Sequence, residues 1–284
     1  MWWMLSAAWA GQDVPLSAEP VIQMLATEEG TPRGLPATSS EVSLGVYPVD
    51  TGAPHVWHGA LRHDVGLARF GRGAWTGGLA VETVADDDND ISFRLVRLFY
   101  DAHLGAAYRW SESSVGWLSW RHQCSHGTDD VAGRILIRSG PELGVRREGG
   151  GATRWSAMGV VQGTVIGQNR DDAWQPRGQV AGSGTIEVPV RGSWSFVAGT
   201  GLGLMAVGTG SGELWTAGST WGDVRVVPLP RLEAGFRTAG PTGWAKFGLA
   251  YERIEDSGIG DAADPAHLAL LRIDLGAFSS RPGT

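Results

Sequence analysis

The chain has 284 residues, among them 43 glycines, 14 tryptophans and 1 cysteine, and a formal net charge of −7. The negative balance argues against a nucleic-acid partner, which would want a basic footprint. The single cysteine excludes an internal disulfide and any CxxC site, and the length suits one large all-β domain or two smaller ones.

The chain opens MWWMLSAAWAGQDV, a short apolar run that ends in Ala8-Trp9-Ala10 before a polar segment. An apolar stretch closed by an A-x-A pattern reads as a secretory signal, here a remnant over residues 1–10 without the usual basic flank. It predicts export. Residues 11–40 hold four prolines and no sustained period. They read as an irregular leader with a short helix near Val21–Ala26. From 41 to 278 the period is two, and 279–284 read as a C-terminal tail.

The first candidate strands lie at 41–48, 58–70, 74–84, 91–100, 103–111, 114–125, 131–147 and 152–166. In 178–190, Val180, Ile186, Val188 and Val190 oppose Gln179, Ser183, Thr185 and Glu187. Residues 192–212 carry no charge, so a hydropathy window alone could take them for a membrane helix. Their order points to a strand instead. Trp194, Phe196, Ala198, Leu202, Leu204 and Ala206 share one parity, while Ser195, Gly199, Gly201 and Gly203 dominate the other, with Val197 and Met205 as exceptions. Successive strand side chains point to opposite faces, and each glycine in a helix would cost about 1 kcal/mol relative to alanine. The alternation resumes at 212–227, 231–238 and 244–252. In the last strand Ala269, Leu271, Ile273, Leu275 and Ala277 oppose Arg272, Asp274 and Gly276.

On most strands glycine, arginine and glutamate repeat on one face and aliphatic or aromatic residues on the other. A polar lumen inside a lipid-facing wall produces that pattern. The fold predicted is all-β: a transmembrane antiparallel β-barrel of about 12 strands, within a range of ten to fourteen. Trp75, Trp155, Trp194, Trp215 and Trp244 fall near strand ends, where an aromatic girdle would sit. Moderately apolar strands and an export signal point to the bacterial outer membrane. The partners expected are membrane lipids and lipopolysaccharide, with small solutes in the lumen. No cofactor is expected.

The stretch LSWRHQCSHGTDDVAG, 118–133, concentrates the reactive residue types. Parity puts Val115, Trp117, Ser119, Arg121 and Gln123 in the lumen and Leu118, Trp120, His122 and Cys124 outside, with His126 continuing the outer set. His122, Cys124 and His126, with Asp129 as a fourth donor, are possible zinc ligands. Donors at i, i+2 and i+4 on a flat strand lie ~7 Å apart at each step, which is too far for one tetrahedral ion unless the strand curls. In ADDDNDIS, Asp86, Asp88 and Asp90 could hold a loose calcium, but the glycine of an EF-hand loop is missing. A solvated hairpin loop explains that segment better.

RHQCSHGTDD followed by GRILIRSGPELGV resembles a family of bacterial outer-membrane barrels marked by an H-x-S-S-H-x-G-D-E strand end. The match falls on His122, Ser125, His126, Asp129, Arg134, Ser139 and Glu142. Cys124 stands where that family has serine, Asp130 for glutamate and Thr128 for glycine. This resemblance implies location and fold, not a reaction. A looser resemblance joins His122-x-Cys124 to outer-membrane phospholipase A and the lipid A deacylases, which set a histidine and a serine two apart on a lipid-facing strand. It implies an acyl-ester hydrolase with His122, Cys124 and Ser125 as catalytic candidates. Such enzymes also orient the histidine from the next strand. About fourteen residues on, this chain offers Leu136 flanked by Arg134 and Arg138, and no suitable group before Glu142. The first expectation is therefore a structural, passive or pore-like barrel, and the alternative is a lipid hydrolase.

Overall fold

The computed structural model describes residues 38–47, 57–86, 94–127, 135–168, 175–210, 214–220, 222–240, 242–254 and 266–279. The signal remnant and nearly all of the leader lie outside them, as do Asp88, Asp90, Asp129, Asp130 and Arg134. The regular elements are β1 (Thr38–Val46), β2 (Trp57–Phe70), β3 (Gly73–Asp86), β4 (Arg94–Ser111), β5 (Ser114–Gly127), β6 (Ile135–Gly150) and β7 (Arg154–Gly163). They continue with β8 (Ile166–Gln168), β9 (Gln175–Arg191), β10 (Trp194–Gly208), β11 (Leu214–Thr216), β12 (Val224–Ala239), β13 (Gly243–Ile254) and β14 (Ala266–Ser279).

All of these strands except the short β8 and β11 form a closed antiparallel 12-strand barrel. β14 pairs with β1 to shut the ring, and β7 passes to β9 and β10 to β12 around it. Closure leaves no unpaired edge for a bilayer to solvate. The turns after β2 and β9 are tight, with Gly71 and Gly192 both at φ 58°, a left-handed conformation that glycine adopts without strain. At the opposite end the chain takes longer excursions, as between β1 and β2 or β13 and β14.

The two faces separate as the alternation requires. Outside, Leu61, Leu104, Leu118, Leu143, Leu202, Leu249 and Ile273 are exposed, joined near the rims by Trp75, Trp110, Trp155 and Trp194. Inside, Arg121, Glu142, Glu187, Arg237, Arg272 and Asp274 are buried. Two of the five tryptophans assigned to a girdle behave differently. Trp215 and Trp244 are buried, and each carries an arginine guanidinium over its ring, Arg177 at 5.7 Å and Arg237 at 5.0 Å.

Several boundaries differ from the reading above: β1 begins at Thr38, inside the stretch read as leader, 152–166 divides into β7 and β8, and 212–227 divides between β11 and the start of β12. The candidates 91–100 and 103–111 are one strand, β4, because Asp101 and His103 continue the inward parity without a turn. β12 runs unbroken through Pro228 and Pro230, which the pattern marks as a gap. Both prolines pair with β10, at Leu204 and Leu202, while β13 meets β12 only from Arg231 onward. The prolines thus stand where β12 overhangs its neighbour and needs no ladder donor on that side. Arg253 on β13 donates to the Pro228 carbonyl there at 2.7 Å.

A bulge shapes one side of the mouth. Glu142 pairs with Gln162 on β7, and Ser139 with Ile166 on β8. Three steps on β6 thus match four on its partner, and the extra residue falls at Thr164–Val165. Beyond it, β8 takes β11 as its other neighbour, in the place β9 holds alongside β7. This carries Trp215 into the lumen against Leu136, Met205, Val207, Val227 and Leu229.

Interior packing makes several glycines hard to replace, Gly144 among them. The Trp117 ring lies on Gly144, where an added Cβ would meet Cζ2 at 2.0 Å, whereas a Cβ at Gly159 would meet nothing within 4 Å. Gly144→Val is expected to destabilise the folded barrel by about 1–3 kcal/mol through overpacking, and Gly159→Ala to leave it unchanged. Urea unfolding in detergent, followed by the gel shift of the folded form, measures both.

Candidate functional site

β5 carries both faces of the site, because its odd residues enter the lumen and its even residues leave the wall. On the lumen side, Arg121 is 1 % exposed. It donates to Asp101 of β4 through Nε, at 3.0 and 2.9 Å, and through Nη2, and to Glu142 Oε2 of β6 through Nη1 at 2.9 Å. Glu142 Oε1 also accepts from Trp117 Nε1 at 2.8 Å. Gln123 donates to Asp101 at 3.0 Å and accepts from Gln162 of β7 at 3.1 Å. This row spans four neighbouring strands.

A second row lies between β12 and β1. Lys246 and Arg272 both donate to Glu233 Oε2 at 3.0 Å, and both pair with Asp274, which accepts a further bond from Ser43 at 2.7 Å. A third joins Glu187 to Arg154 at 2.7 Å and to Arg237 at 3.3 Å. Opposite charges in a low-dielectric interior hold one another strongly. Towards the long-loop end two apolar clusters interleave with buried polar side chains such as His58, Arg138, Arg177, Arg231 and Glu252. Trp215 and its neighbours close one side, and Tyr47, Val84, Ala250, Leu268 and Leu270 the other.

On the outer side, His122 is exposed and Cys124 half-buried, both near the long-loop end of β5. The register sets Ala102, His122, Ser139 and Ile166 in one row, and Tyr100, Cys124, Ile137 and Gln168 in the next row outward. His122 Nδ1 and Ser139 Oγ are 2.6 Å apart. Position 136, where an orienting residue is sought by count, pairs with Ser125 instead. The β5–β6 connection is longer than that count assumes, so the residue facing His122 is Ser139. Among the catalytic candidates, Ser125 is not beside the other two. It is 1 % exposed on the lumen parity of β5, opposite His122 and Cys124.

Of the family-like positions, Ser139 joins the outer row and Glu142 the lumen network. His126 has its backbone in β5, paired with Leu98 and Ile135, and its side chain is outside the described set, as is that of Asp86. Among the described residues no group of three or more His, Cys, Asp or Glu side chains is placed to hold a metal ion. Sequence parity finds the two faces but not the partners, because the Arg121–Asp101–Glu142 and His122–Ser139 contacts depend on inter-strand register.

No protein-family profile matches the chain, and no curated protein does. Among solved structures, the NanC porin matches at 11% identity and a TM-score of 0.44, over 85% of this chain and 100% of that one. LpxR from Salmonella typhimurium matches at 8% and 0.47, over 85% and 100%. Outer membrane phospholipase A from Escherichia coli matches at 11% and 0.44, over 89% and 96%. The likeness is one of barrel architecture, and a shared fold does not carry an activity.

Arg121 is the hub of the first lumen row. Arg121→Met would leave the half-buried Asp101 and the buried Glu142 without their cation. The expected cost is about 3–5 kcal/mol, read as a lower urea midpoint of the detergent-folded barrel. The double variant Arg121→Met/Glu142→Gln should recover part of it.

Proposed function

We propose that the protein is a bacterial outer-membrane barrel with a passive, structural role, closed to free diffusion in its resting form. The observation that carries this reading is the burial of the charged belt: Arg272 is 2 % and Asp274 0 % exposed, although both point into the lumen. Side chains lining a water-filled channel would be wet. The apolar outer wall fits lipid, and the short turns would face the periplasm with the longer connections outside. Lipids and lipopolysaccharide are then the contacts of the wall, and export would use the N-terminal signal. Full-length protein in planar bilayers is expected to give no sustained conductance steps. Steady steps at low voltage would overturn the closed-lumen reading.

A second reading rests on the His122–Ser139 bond. In this reading, Ser139 Oγ attacks an ester carbonyl of an outer-leaflet lipid as its proton passes to His122 Nδ1. The alcohol leaves with that proton, and water releases the fatty acid from the acyl-serine in the same way. Cys124, one row further out, is the competing nucleophile. The row gives His122 no carboxylate to orient it, so turnover would be slow relative to a full triad. On labelled phospholipid and lipid A, Ser139→Ala and His122→Ala should each abolish release, and Cys124→Ser should retain it. The reverse pattern would move the chemistry to Cys124. Failure of the wild type on both substrates would remove the reading.

A further inference from the structure

We infer that the wall holds one anionic glycerophospholipid at its short-turn rim, in a groove between β4, β5 and β6. The groove has a volume of about 470 Å³, within the range of about 300–1,000 Å³ typical of small-molecule sites. Its position follows from small residues on the outer parity. Tyr108, Gly116 and Val145 form one row, and Ala106, Leu118 and Leu143 the next. Gly116 and Ala106 leave the floor low, while Tyr108, Trp110, Leu118, Leu143 and Val145 stand as exposed walls.

The floor is already fitted to one wall. A Cβ on Gly116 would meet Trp110 Cζ3 at 2.3 Å, so the indole leans down over this glycine. Trp110 therefore lies along the groove at the level where aromatic rings mark the membrane interface. The depression it borders faces hydrocarbon, and an acyl chain is the filler that a bilayer supplies.

Charge at the rim selects the headgroup. Arg147 shares the outer parity of Val145, lies two residues nearer the turn end, opposite Ser114, and is exposed. Arg72 is exposed in the turn between β2 and β3, and its carbonyl accepts from the backbone of Arg109 next to Trp110. Against these stands Glu112, exposed in the β4–β5 turn, whose carbonyl oxygen accepts from Arg109 Nη2 at 2.7 Å. The balance is positive over a greasy slot. That combination suits a lipid with a negatively charged headgroup better than a zwitterionic one. In the orientation proposed above, this rim meets the inner leaflet.

The test uses the full chain, folded in mild detergent and stripped of lipid. It is titrated with phosphatidylglycerol or phosphatidylethanolamine and read by native mass spectrometry. The first phosphatidylglycerol should bind about fivefold more tightly than the first phosphatidylethanolamine, the effect of one interfacial arginine. Arg147→Gln should erase that preference while leaving binding of the acyl chains. Ala106→Leu, which fills the floor, should remove the first bound lipid of either kind, and Leu249→Ala elsewhere on the outer wall should change nothing. Equal binding of the two lipids by the wild type, or an unaffected Ala106→Leu, would overturn the site. The gel shift of the folded form, recorded on every variant, separates that result from failure of the barrel reading itself, since a chain without the shift refutes both.

Discussion

A slip of one residue in any strand of this wall would turn its charged face into hydrocarbon. Side-chain orientation alternates with a period of two, so register alone decides whether Arg121, Glu233 or Arg272 meets a counter-ion or a lipid. The lumen rows show how register is pinned. Asp101, Arg121 and Glu142 lie on consecutive strands, and each holds its neighbour at one alignment. Lys246, Arg272, Glu233 and Asp274 do the same on the far side. Buried ion pairs are weak as net stabilisers but costly to misalign. Their value here lies in excluding wrong pairings along a wall whose backbone would accept many.

The same constraint explains the irregular features. Some departures from the ladder fall where partners change or beside a proline, and others are single-residue bulges within an unchanged pair, as at Leu67 between β2 and β3. Pro141 sits where β6 passes from β7 to β8. Pro189 marks the register shift between β9 and β10, and Pro228 and Pro230 the overhang of β12. The bulge at Thr164–Val165 frees a neighbour position that β11 fills, and with β11 comes Trp215. A plug residue thus reaches the lumen through a strand-pairing event and not through a loop folding at random. It seats an indole on Gly167, where a larger residue would collide with the ring.

Much of the architecture was legible because lipid and lumen impose opposite demands on alternate residues. Val197 and Met205 interrupt the pattern of β10 as apolar residues on the polar parity. Met205 belongs to the apolar cap around Trp215 and Val197 packs beside Glu233, so the exceptions mark places where the lumen is filled. The direction of Trp215 and Trp244 was not legible, since an aromatic near a strand end fits either a girdle or a plug. Ser139 was missed as the partner of His122 for a related reason. Periodicity fixes the face of each residue, but the residue opposite depends on the length of the intervening connection.

The position of the His122–Ser139 pair within the wall bears on its purpose. Polar side chains on a lipid-facing surface cost least near the interface, and both residues lie near the long-loop end. A pair that served only to hide its polarity would cover both members. Here Ser139 is 8 % exposed while His122 remains open to the surroundings. Ser139 is mostly covered by its neighbours and the imidazole faces outward, so in the second reading proposed above an ester would reach Ser139 Oγ only past the exposed imidazole. Packing alone does not require that asymmetry. It separates this pair from Ser156 and Thr185, whose hydroxyls bond at 2.8 Å on the lumen parity of β7 and β9 with no base between them.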